Sequence, residues 1–537
     1  MKTYLKDTLG VKALITDGGH PSYRDLATIY TSAANTDFIS RHVYWGHPMS
    51  TPYTYTAGTT PKQKTSQISD TYSGGRMEDL VKRRVFGKPF VISEYQTAES
   101  NQYGSQFPLI MSAYASLQNW APIMYNYHEG ASKSDSAILT GLFTVNNHPI
   151  RYGILPATSL LFHRQDVAEG TRNYYGQIAA TDIYNTDKQE NFPATWQKGM
   201  GFLGKTGIYF ADLSPTPAPG TIDSTMLTDA PNNPRVANSG QLSWSTTSDL
   251  FKINTSKSQG ATGTFNGATV DVSDMSCTIT NQSATVVLNS LTNDPISTSK
   301  KLLLTTASRA RNNGTVLDET TSGIVNPGSG SIKVEQVLGN VIVKSTGRFT
   351  VYTLYPSGQR KGVVGCTRTA EGYLNIPLTA SNQTLHYEIV EEKIEVENLS
   401  KTASDSVSVN NDTACSNGQL SVLYANATND YVTYTVPNVI ALPTGYSYKV
   451  YVGVKKGSNR GKFQLSVPNA SGTLINLGSV VDLYSATSNF PADYPEIEIG
   501  NWSNTTTGNK QFKFTNTATG TTHYLTIDYI RLVPVQN

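Results

Sequence analysis

The chain of 537 residues has little cysteine, little charge and no long apolar run. Its three cysteines form no C-x-x-C pair and show no metal-binding spacing, which argues against a disulfide framework and allows one bridge at most. Only 15% of the residues are charged and the net charge is +2, so no basic stripe favours binding of nucleic acid. No apolar stretch reaches the roughly 18 residues needed to span a membrane.

A signal peptide is also lacking, because the first seven residues have the pattern of an amphipathic helix fragment. Two interpretations stay open: the protein is cytoplasmic, or its true N-terminus lies further upstream. The remaining sequence is rich in Ser, Thr, Asn, Gly and Tyr, a balance typical of secreted β-rich proteins, so we expect an extracellular parent protein. The 31 tyrosines suit a surface that binds sugars or proteins, and equally an ordinary all-β surface.

Strand and helix patterns alternate over the first 130 residues, which predicts parallel βα units. The predicted strands cover residues 11–16, 38–45, 90–95 and 122–127. The predicted helices cover residues 23–34, 76–85 and 107–120. Four such units are half of an eightfold barrel of roughly 250 residues, so we predict a partial TIM barrel over residues 1–135.

The rest of the chain follows other patterns, and the whole is predicted to be multidomain α/β plus all-β. Residues 136–235 flank the barrel and contain a helix-like apolar segment at 150–162. Residues 236–392 show short alternating strands separated by Gly, Asn and Asp, which indicate an accessory β-sandwich. Residues 393–537 form a separate β-rich region that fits a β jelly-roll.

Gly87–Tyr95 is the most informative stretch, because its apolar run, Phe90–Ile92, leads to the carboxylate of Glu94. In a parallel barrel, chemistry takes place where strands end. Glu94 is therefore a candidate nucleophile of sugar chemistry, the alternative being a solvated glutamate at the start of a loop. Tyr44 on the neighbouring strand is expected to donate a hydrogen bond that holds Glu94 ionised. His42 either binds a sugar hydroxyl, holds Tyr44 in place, or is a satisfied histidine at the barrel mouth.

Aromatic side chains near strand ends and turns are candidate platforms for sugar rings, with ordinary core packing as the alternative. Loops between strands usually carry the ligand, which favours the aromatics in turn-rich stretches of the last region. The candidate substrate-binding residues are Trp45, Tyr95, Tyr125, Tyr127 and His128 in the first region, and Tyr484 and Trp502 in the last. Tyr424, Tyr431 and Tyr494 are further possible platforms of the last region, ranked after these two.

Arg41–Trp45 and Lys88–Tyr95, in this order, resemble strands six and seven of a clan A glycoside hydrolase barrel. The resemblance implies barrel strands 5–8, with Glu94 as the nucleophile and with Tyr44 and His42 beside it. It also implies an acid/base glutamate that follows an Asn at the end of strand four, and this sequence contains no Asn-Glu pair. We therefore expect the missing barrel half on a longer parent chain or on a second polypeptide.

Glu395 and Glu397 stand two apart on a predicted strand, so they point the same way and repel unless a cation or a base lies between them. The alternative is a solvated acidic face. This pair, with Asn459–Leu465 and Ile527–Ile530, resembles carbohydrate-binding modules of families 6 and 35. In those modules the first and last strands are neighbours, which implies a structural Ca²⁺ bound by Glu395, Glu397 and Asp528. No catalytic cofactor is expected.

The function that these resemblances imply is retaining hydrolysis of a β-linked polysaccharide, by an enzyme of which this chain is the C-terminal portion. The expected partner is a polysaccharide or oligosaccharide, and neither nucleic acid nor a membrane span is expected. The alternative is a non-catalytic carbohydrate-binding protein that keeps the barrel remnant as a scaffold.

Overall fold

The computed structural model describes residues 2–18, 25–48, 54–60, 65–70, 76–124, 136–185, 199–213, 233–318, 323–520 and 523–537. β-Strands dominate their regular structure. The chain divides into two compact units. The first comprises Met1–Ser299, Leu303–Asn340 and Leu378–Leu385, and the second comprises Lys300–Leu302, Val341–Pro377 and His386–Asn537. The predicted sandwich at 236–392 therefore contributes strands to both units, and the predicted domain boundaries stay predictions.

A parallel sheet with helical crossovers opens the described part of the first unit. Its strands, in spatial order, are β1 (Ile39–Trp45), β2 (Phe90–Thr97) and β3 (Ala121–Met124). The helices that alternate with them are α1 (Leu26–Asn35), α2 (Met77–Val81) and α3 (Gln106–Gln118). The predicted parallel βα arrangement is thus confirmed for three strands.

The strand predicted at residues 11–16 is wrong, since this segment has no strand geometry in the structure. Ile15 exchanges hydrogen bonds with Asp37: its N–H donates to Asp37 Oδ2 at 2.9 Å, and its carbonyl accepts from the Asp37 N–H at 2.8 Å. Leu14 is 72% exposed, so the apolar run that suggested a strand has no core to face. A helical turn, Tyr4–Thr8, precedes it. The described residues therefore do not establish a fourth barrel strand.

The two faces of the parallel sheet differ in burial. Every residue of α3 is buried, and Phe90, Ile92 and Tyr95 of β2 belong to the same apolar core. On the other face, His42, Tyr44 and Glu94 are partly buried, whereas Ser40 and Gln96 are buried. Because neighbouring residues of a strand point to opposite sides, one face packs against helices while the other is accessible around His42, Tyr44 and Glu94.

The segment after the parallel sheet adds further helices and strands to the first unit. Helix α4 (Pro149–His163) confirms the helix predicted at 150–162. Helix α5 (Met200–Leu203) lies between β4 (Asn173–Ile178) and β5 (Lys205–Phe210), which pair in parallel.

Antiparallel strands complete the first unit, as the short alternating pattern predicts. One sheet contains, in spatial order, β6 (Arg235–Val236), β7 (Leu242–Ser245), β8 (Leu250–Asn254), β9 (Ser258–Thr264), β12 (Ser283–Ser290) and β13 (Lys301–Ala307). Two further antiparallel pairs are β10 (Thr269–Asp271) with β11 (Met275–Ile279), and β14 (Ala310–Leu317) with β15 (Ile324–Val334). The second of these pairs is a long hairpin.

The second unit is built from β-strands. Its first strands are β16 (Gly339–Val343), β17 (Thr350–Leu354), β18 (Arg360–Val363), β19 (Thr367–Arg368), β20 (Leu374–Leu378) and β21 (His386–Val390). One later sheet has the order β24 (Val407–Asn411), β25 (Gln419–Leu423), β32 (Leu525–Gln536), β27 (Tyr446–Val454) and β30 (Glu496–Trp502), with β22 (Ile394–Glu395) paired to β32. The other has the order β23 (Ser400–Ala403), β26 (Tyr431–Val439), β31 (Gly508–Asn516), β28 (Lys462–Pro468) and β29 (Leu474–Asp482).

These two sheets enclose one apolar core, as expected for a β-sandwich. Phe463, Leu465 and Val467 alternate along β28 and are fully buried, and Phe512 and Phe514 do the same on β31. Side chains with this period of two on facing strands bury a continuous layer. Across the described ranges, no helix is both long and apolar enough to cross a membrane.

Candidate active site and acidic cluster

Glu94 owes its position to a β-bulge between β1 and β2. Arg41 pairs with Ile92, but the next residue, His42, pairs with Glu94, so Ser93 is the extra residue. A bulge inserts one unpaired residue and re-aims the side chains that follow it. The Glu94 side chain therefore lies on the accessible face of the sheet, next to that of His42, while the Tyr95 side chain lies in the core.

Tyr44 and His42 both reach the same oxygen of Glu94. The Tyr44 hydroxyl donates to Glu94 Oε2, and His42 Nδ1 lies 3.2 Å from that atom. The side chains of His42 and Glu94 are 17% and 27% exposed, so the group is partly sheltered but accessible. The expected contact between Tyr44 and Glu94 is therefore present, and the catalytic roles of these residues stay predictions.

The ring of Tyr44 is held by two other rings. His47 approaches it edge-on with centroids 5.2 Å apart, and Phe143 lies at 5.1 Å. His47 and Phe143 are themselves 5.7 Å apart, so the three rings form a closed cluster. Phe143 lies about a hundred residues from Tyr44 in sequence, and no short-range signal links the two.

Glu99, which follows β2, belongs to a buried ion network. Its Oε2 lies 2.8 Å from His148 Nε2 and 3.0 Å from Arg151 Nη2, and all three side chains are less than a tenth exposed. Burial alone would raise the pKa of Glu99, but the charges of His148 and Arg151 hold the pKa below its usual value. Arg151 also donates to the carbonyls of Thr97, Leu142 and Thr144. The network ties the end of β2 to α4 and leaves Glu99 no access to substrate.

Two predicted sugar platforms of the first region are core residues instead. Trp45 is 3% exposed, and its indole N–H donates to the carbonyl of Thr65 at 2.9 Å. Tyr95 is 5% exposed and packs edge-on against Phe107, and its burial raises the pKa of its hydroxyl. Both side chains lie on the helix-facing side of the sheet, so their assignment as platforms is corrected. The other candidates, Tyr125, Tyr127 and His128, lie outside the described residues.

The two platforms predicted in the last region have opposite outcomes. Trp502 is 3% exposed, stacks on Tyr448 with centroids 5.9 Å apart, and donates to the carbonyl of Pro468 at 2.7 Å. It is a core residue of the sandwich, and its assignment as a platform is corrected. Tyr484 is 59% exposed in the loop after β29, so it remains a candidate.

A group of aromatic and charged side chains gathers near one another in the second unit. Two of its members, Tyr424 and Tyr494, are possible platforms predicted from the sequence, whereas Tyr524 and the charged residues of the group were not predicted. Tyr424 and Tyr524 meet edge-on at 4.9 Å, and the Arg460 guanidinium lies 5.8 Å from the Tyr524 ring. Nearby, Asp412 Oδ2 accepts hydrogen bonds from Lys455 Nζ at 2.6 Å and from the Tyr494 hydroxyl at 2.9 Å. We call these six residues the tyrosine cluster. Aromatic faces beside fixed polar groups match the apolar faces and hydroxyls of a sugar.

Glu395, Glu397 and Asp528 converge around Ser416 and Asn417. Glu395 accepts from the Ser416 hydroxyl at 2.6 Å, Glu397 from the Asn417 amide at 3.0 Å, and Asp528 from the Ser416 N–H at 3.0 Å. In the part of the chain that the structure describes, the other oxygen of each carboxylate is buried without a hydrogen-bond partner. Buried oxygens in this state are costly, and a cation would satisfy them.

The pKa values of this acidic cluster reflect its burial and its crowding. Burial raises the pKa of Asp528 to about 7, and the charges of Glu395 and Glu397 add to the rise. Burial likewise raises the pKa of Glu395, and the charge of Glu397 contributes. One premise of the prediction is corrected: Glu397 lies in the 3₁₀ turn Val396–Asn398 and not on a strand with Glu395.

The acidic cluster is not a preformed cage. Among the residues whose positions are described, no three Asp, Glu, His or Cys side chains already have the arrangement of a metal site. The carboxylates of Glu395 and Glu397 are nonetheless close enough to Asp528 to raise its pKa. Binding of a cation would therefore require small movements of these side chains toward a common centre.

No protein-family model matches the chain, and no curated protein matches it. Solved structures similar to it include a xanthan lyase from Paenibacillus, 19% identical over 53% of this chain and 25% of that one, with a TM-score of 0.23. This chain thus spans a quarter of the length of that lyase. A family 35 carbohydrate-binding module from Clostridium thermocellum is 21% identical over 26% of this chain and 98% of the module, with a TM-score of 0.21. A Podospora anserina GH26-CBM35 β-(1,4)-mannanase is 16% identical over 27% of this chain and 28% of the enzyme, with a TM-score of 0.20. No family membership follows from these similarities.

Proposed function

We propose that this chain is the C-terminal portion of a retaining glycoside hydrolase that acts on a β-linked polysaccharide, with Glu94 as nucleophile. The observation that carries the proposal is the Glu94 site itself. A carboxylate on a parallel strand takes a phenolic hydrogen bond from Tyr44 and lies beside His42, on the partly accessible side of the sheet. A hydroxyl that donates to one carboxylate oxygen fixes the orientation of the carboxylate.

In the proposed reaction, an oxygen of Glu94 attacks the anomeric carbon while the glycosidic bond breaks. Tyr44 holds the carboxylate in line, and His42 contacts a sugar hydroxyl or supports Tyr44. A retaining mechanism needs a second carboxyl group roughly 5–5.5 Å from the nucleophile. We propose that this acid/base group lies on the other half of a TIM barrel, of which β1 to β3 are a part, supplied by a longer parent chain or a second polypeptide.

The nucleophile can be tested without the acid/base group. A 2-deoxy-2-fluoro-β-glycosyl fluoride reacts by attack of a carboxylate oxygen on C1, with departure of fluoride, which needs no protonation. We expect one of the gluco, manno or galacto reagents to add one fluoroglycosyl group to the peptide that contains Glu94, as measured by mass spectrometry. Glu94→Gln should abolish the adduct, and Glu169→Gln, at a surface ion pair, should retain it. An adduct on another residue, or none with any reagent, contradicts the proposal.

A second candidate function, carbohydrate binding without catalysis, rests on the tyrosine cluster alone. Tyr424, Tyr494 and Tyr524 present aromatic groups beside Lys455, Asp412 and Arg460. We propose that this cluster, with the exposed Tyr484, binds an oligosaccharide. If the chain binds polysaccharide but Glu94 is never labelled, the barrel remnant is a scaffold and this second function is the correct one.

We also propose that the acidic cluster binds a structural Ca²⁺. Carboxylate oxygens are the hard ligands that Ca²⁺ prefers. Glu395, Glu397 and Asp528 each offer one buried carboxylate oxygen that has no hydrogen-bond partner among the described residues. Extracellular modules bind Ca²⁺ with dissociation constants of about 10⁻⁴–10⁻³ M. Such weak binding fits the extracellular location that we propose for the parent protein.

A further inference from the structure

The β14–β15 hairpin, although it belongs to the antiparallel part of the first unit, reaches the surroundings of Glu94. We propose that this hairpin is a positioning element of the Glu94 site, and that Asn312 and Ile324 hold Tyr44 against Glu94 through Phe143. The catalytic meaning of this inference rests on the proposed function, but the positioning itself is a property of the fold.

The hairpin first fixes the segment of residues 54–60. Ile324 opens β15 and is 1% exposed. Its carbonyl accepts from the Gly58 N–H at 2.8 Å, and its N–H donates to the Thr59 carbonyl at 2.8 Å. The Tyr55 N–H in turn donates to the Thr140 carbonyl at 2.9 Å, so the segment continues the contact toward residues 136–148.

The hairpin also fixes residues 136–148 directly. The Asn312 side chain is buried on β14 and bonds both backbone groups of Leu139: its Oδ1 accepts from the Leu139 N–H at 2.6 Å, and its Nδ2 donates to the Leu139 carbonyl at 3.0 Å. The same Nδ2 lies 3.1 Å from the Pro327 carbonyl on β15. A buried amide whose oxygen and nitrogen are both hydrogen-bonded fixes the position of residues 136–148, because any shift of this segment would leave buried polar groups without partners.

One apolar cluster joins these contacts to Tyr44. Its buried members are Tyr55, Ala98, Leu139, Leu142, Phe143 and Ile324. Tyr44 packs against this cluster from the sheet, and Leu317 and Ile332 pack against it from the hairpin. Phe143 lies four residues after Leu139 and contacts the Tyr44 ring, with centroids 5.1 Å apart. A displaced loop would therefore change the direction in which the Tyr44 hydroxyl points.

The same hairpin offers matched control positions. Val316 and Val325 are 51% and 58% exposed, whereas Asn312 and Ile324 are 3% and 1% exposed. Truncation of either valine removes a side chain from the same two strands without touching the apolar cluster. A general disturbance of the hairpin can therefore be separated from loss of the two proposed positioning residues.

The test uses the full chain with 3-fluorotyrosine incorporated at position 44 and read by fluorine NMR. We expect Asn312→Ala and Ile324→Ala to shift and broaden the resonance, Ile324→Val to do so less, and Val325→Ala to leave it unchanged. Glu94→Gln identifies the direction of the shift that loss of the hydrogen bond produces. A label at the buried Tyr114, in the core of the first unit, reports unfolding of that unit and should not change. An unaltered position 44 resonance in both Asn312→Ala and Ile324→Val overturns the inference.

A second readout follows the rate of trapping by the fluoroglycosyl fluoride. A misplaced Tyr44 should lower the maximal trapping rate of Asn312→Ala by about tenfold, since small displacements of reacting groups are costly. The concentration for half-maximal trapping should stay the same, as sugar contacts are retained. If the wild-type chain is not trapped at all, the proposed function fails, while the NMR result still decides whether the hairpin positions Tyr44.

Discussion

At the scale of single residues, the site depends on one inserted residue. The sequence from Lys88 to Tyr95 is enough to predict a strand that carries Glu94 beside Tyr44, but the strand does not end at Glu94, because β2 continues to Thr97. The same sequence is not enough to predict that Ser93 forms a bulge, because simple alternation cannot show where the register shifts. Tyr95 and Trp45 are buried because their side chains lie on the helix-facing side of the sheet. The sequence alone does not show which side of these strands faces the helices, and both residues were therefore mistaken for platforms.

Tyr44→Phe is the sharpest single-residue test of the Glu94 site. Removing the hydroxyl deletes the hydrogen bond to Glu94 and should slow trapping by about tenfold, as expected for loss of one hydrogen bond to a charged group at a partly exposed site. Tyr30→Phe is the matched control, because Tyr30 also donates to a carboxylate, that of Asp212. Equal trapping rates in wild type and Tyr44→Phe would show that Tyr44 does not act on Glu94.

Asp528 predicts a pH dependence of stability with a definite sign. The folded pKa of about 7 lies above the usual value of 3.8, so folding favours the protonated form. The stability that protonated Asp528 contributes to the folded state is fully present below about pH 4 and is lost as the pH rises through 7. Without calcium, the second unit should lose about 2 kcal/mol of unfolding free energy between pH 5 and pH 8, since one pKa unit corresponds to about 1.4 kcal/mol and partial solvent access reduces the effect.

Calcium should offset most of this loss, because it binds the ionised carboxylates. Thermal unfolding between pH 5 and 8, with EGTA and with 5 mM Ca²⁺ (about 1–2 kcal/mol of stabilisation at the dissociation constants given above), measures both effects. Asp528→Asn should flatten the pH dependence and remove the response to calcium. A calcium response that survives in Asp528→Asn would place the ion elsewhere.

At the scale of elements, local sequence patterns predicted the positions of strands better than they predicted whether a given site residue lies on a strand. The strands at 38–45 and 90–95 were predictable from their apolar runs, which meet a helix-covered core. Residues 11–16 have a similar run, but Leu14 is exposed and no strand forms. Glu397 was expected on a strand and lies in a 3₁₀ turn. Its carboxylate nonetheless belongs to the acidic cluster, where it accepts a hydrogen bond from Asn417.

The buried network of Glu99, His148 and Arg151 predicts how firmly α4 is joined to β2. Arg151→Met removes one of the two charged partners of the buried Glu99 and should destabilise the first unit by about 3–5 kcal/mol. Lys205→Met is the control, because its partner Glu169 is 47% exposed, and it should cost less than about 1 kcal/mol. Chemical denaturation of the full chain, followed by a probe in the first unit, compares the two. Similar losses in both variants would mean that burial adds nothing to the Arg151 pair.

At the scale of the whole molecule, changes of sequence pattern mark regions but not the compact units of the fold. The change to alternating strands near residue 236 is visible in the sequence, whereas the division of those strands between two units is not. Strand pairing is non-local, and an alternating pattern specifies a strand without specifying its partner. Tyr424 and Tyr494 were predictable as possible platforms, but their grouping with Asp412 and Lys455 was not, since Asp412, Lys455 and Tyr494 come from three separate loops.

The two proposed functions occupy different units, so they should be separable in the full chain. Tyr424→Ala and Tyr484→Ala should each weaken retention on insoluble polysaccharide about tenfold or more. A nucleic-acid base stacked on an aromatic side chain contributes roughly 1–3 kcal/mol, and we expect a sugar ring packed on a tyrosine to contribute a similar amount. Both variants should keep the Glu94 trapping rate, and Glu94→Gln should keep full retention. Tyr355→Ala is the control, as Tyr355 is 48% exposed in the second unit outside the tyrosine cluster. Retention that follows Glu94 and ignores the tyrosines would place polysaccharide binding in the first unit and make the tyrosine cluster a structural feature.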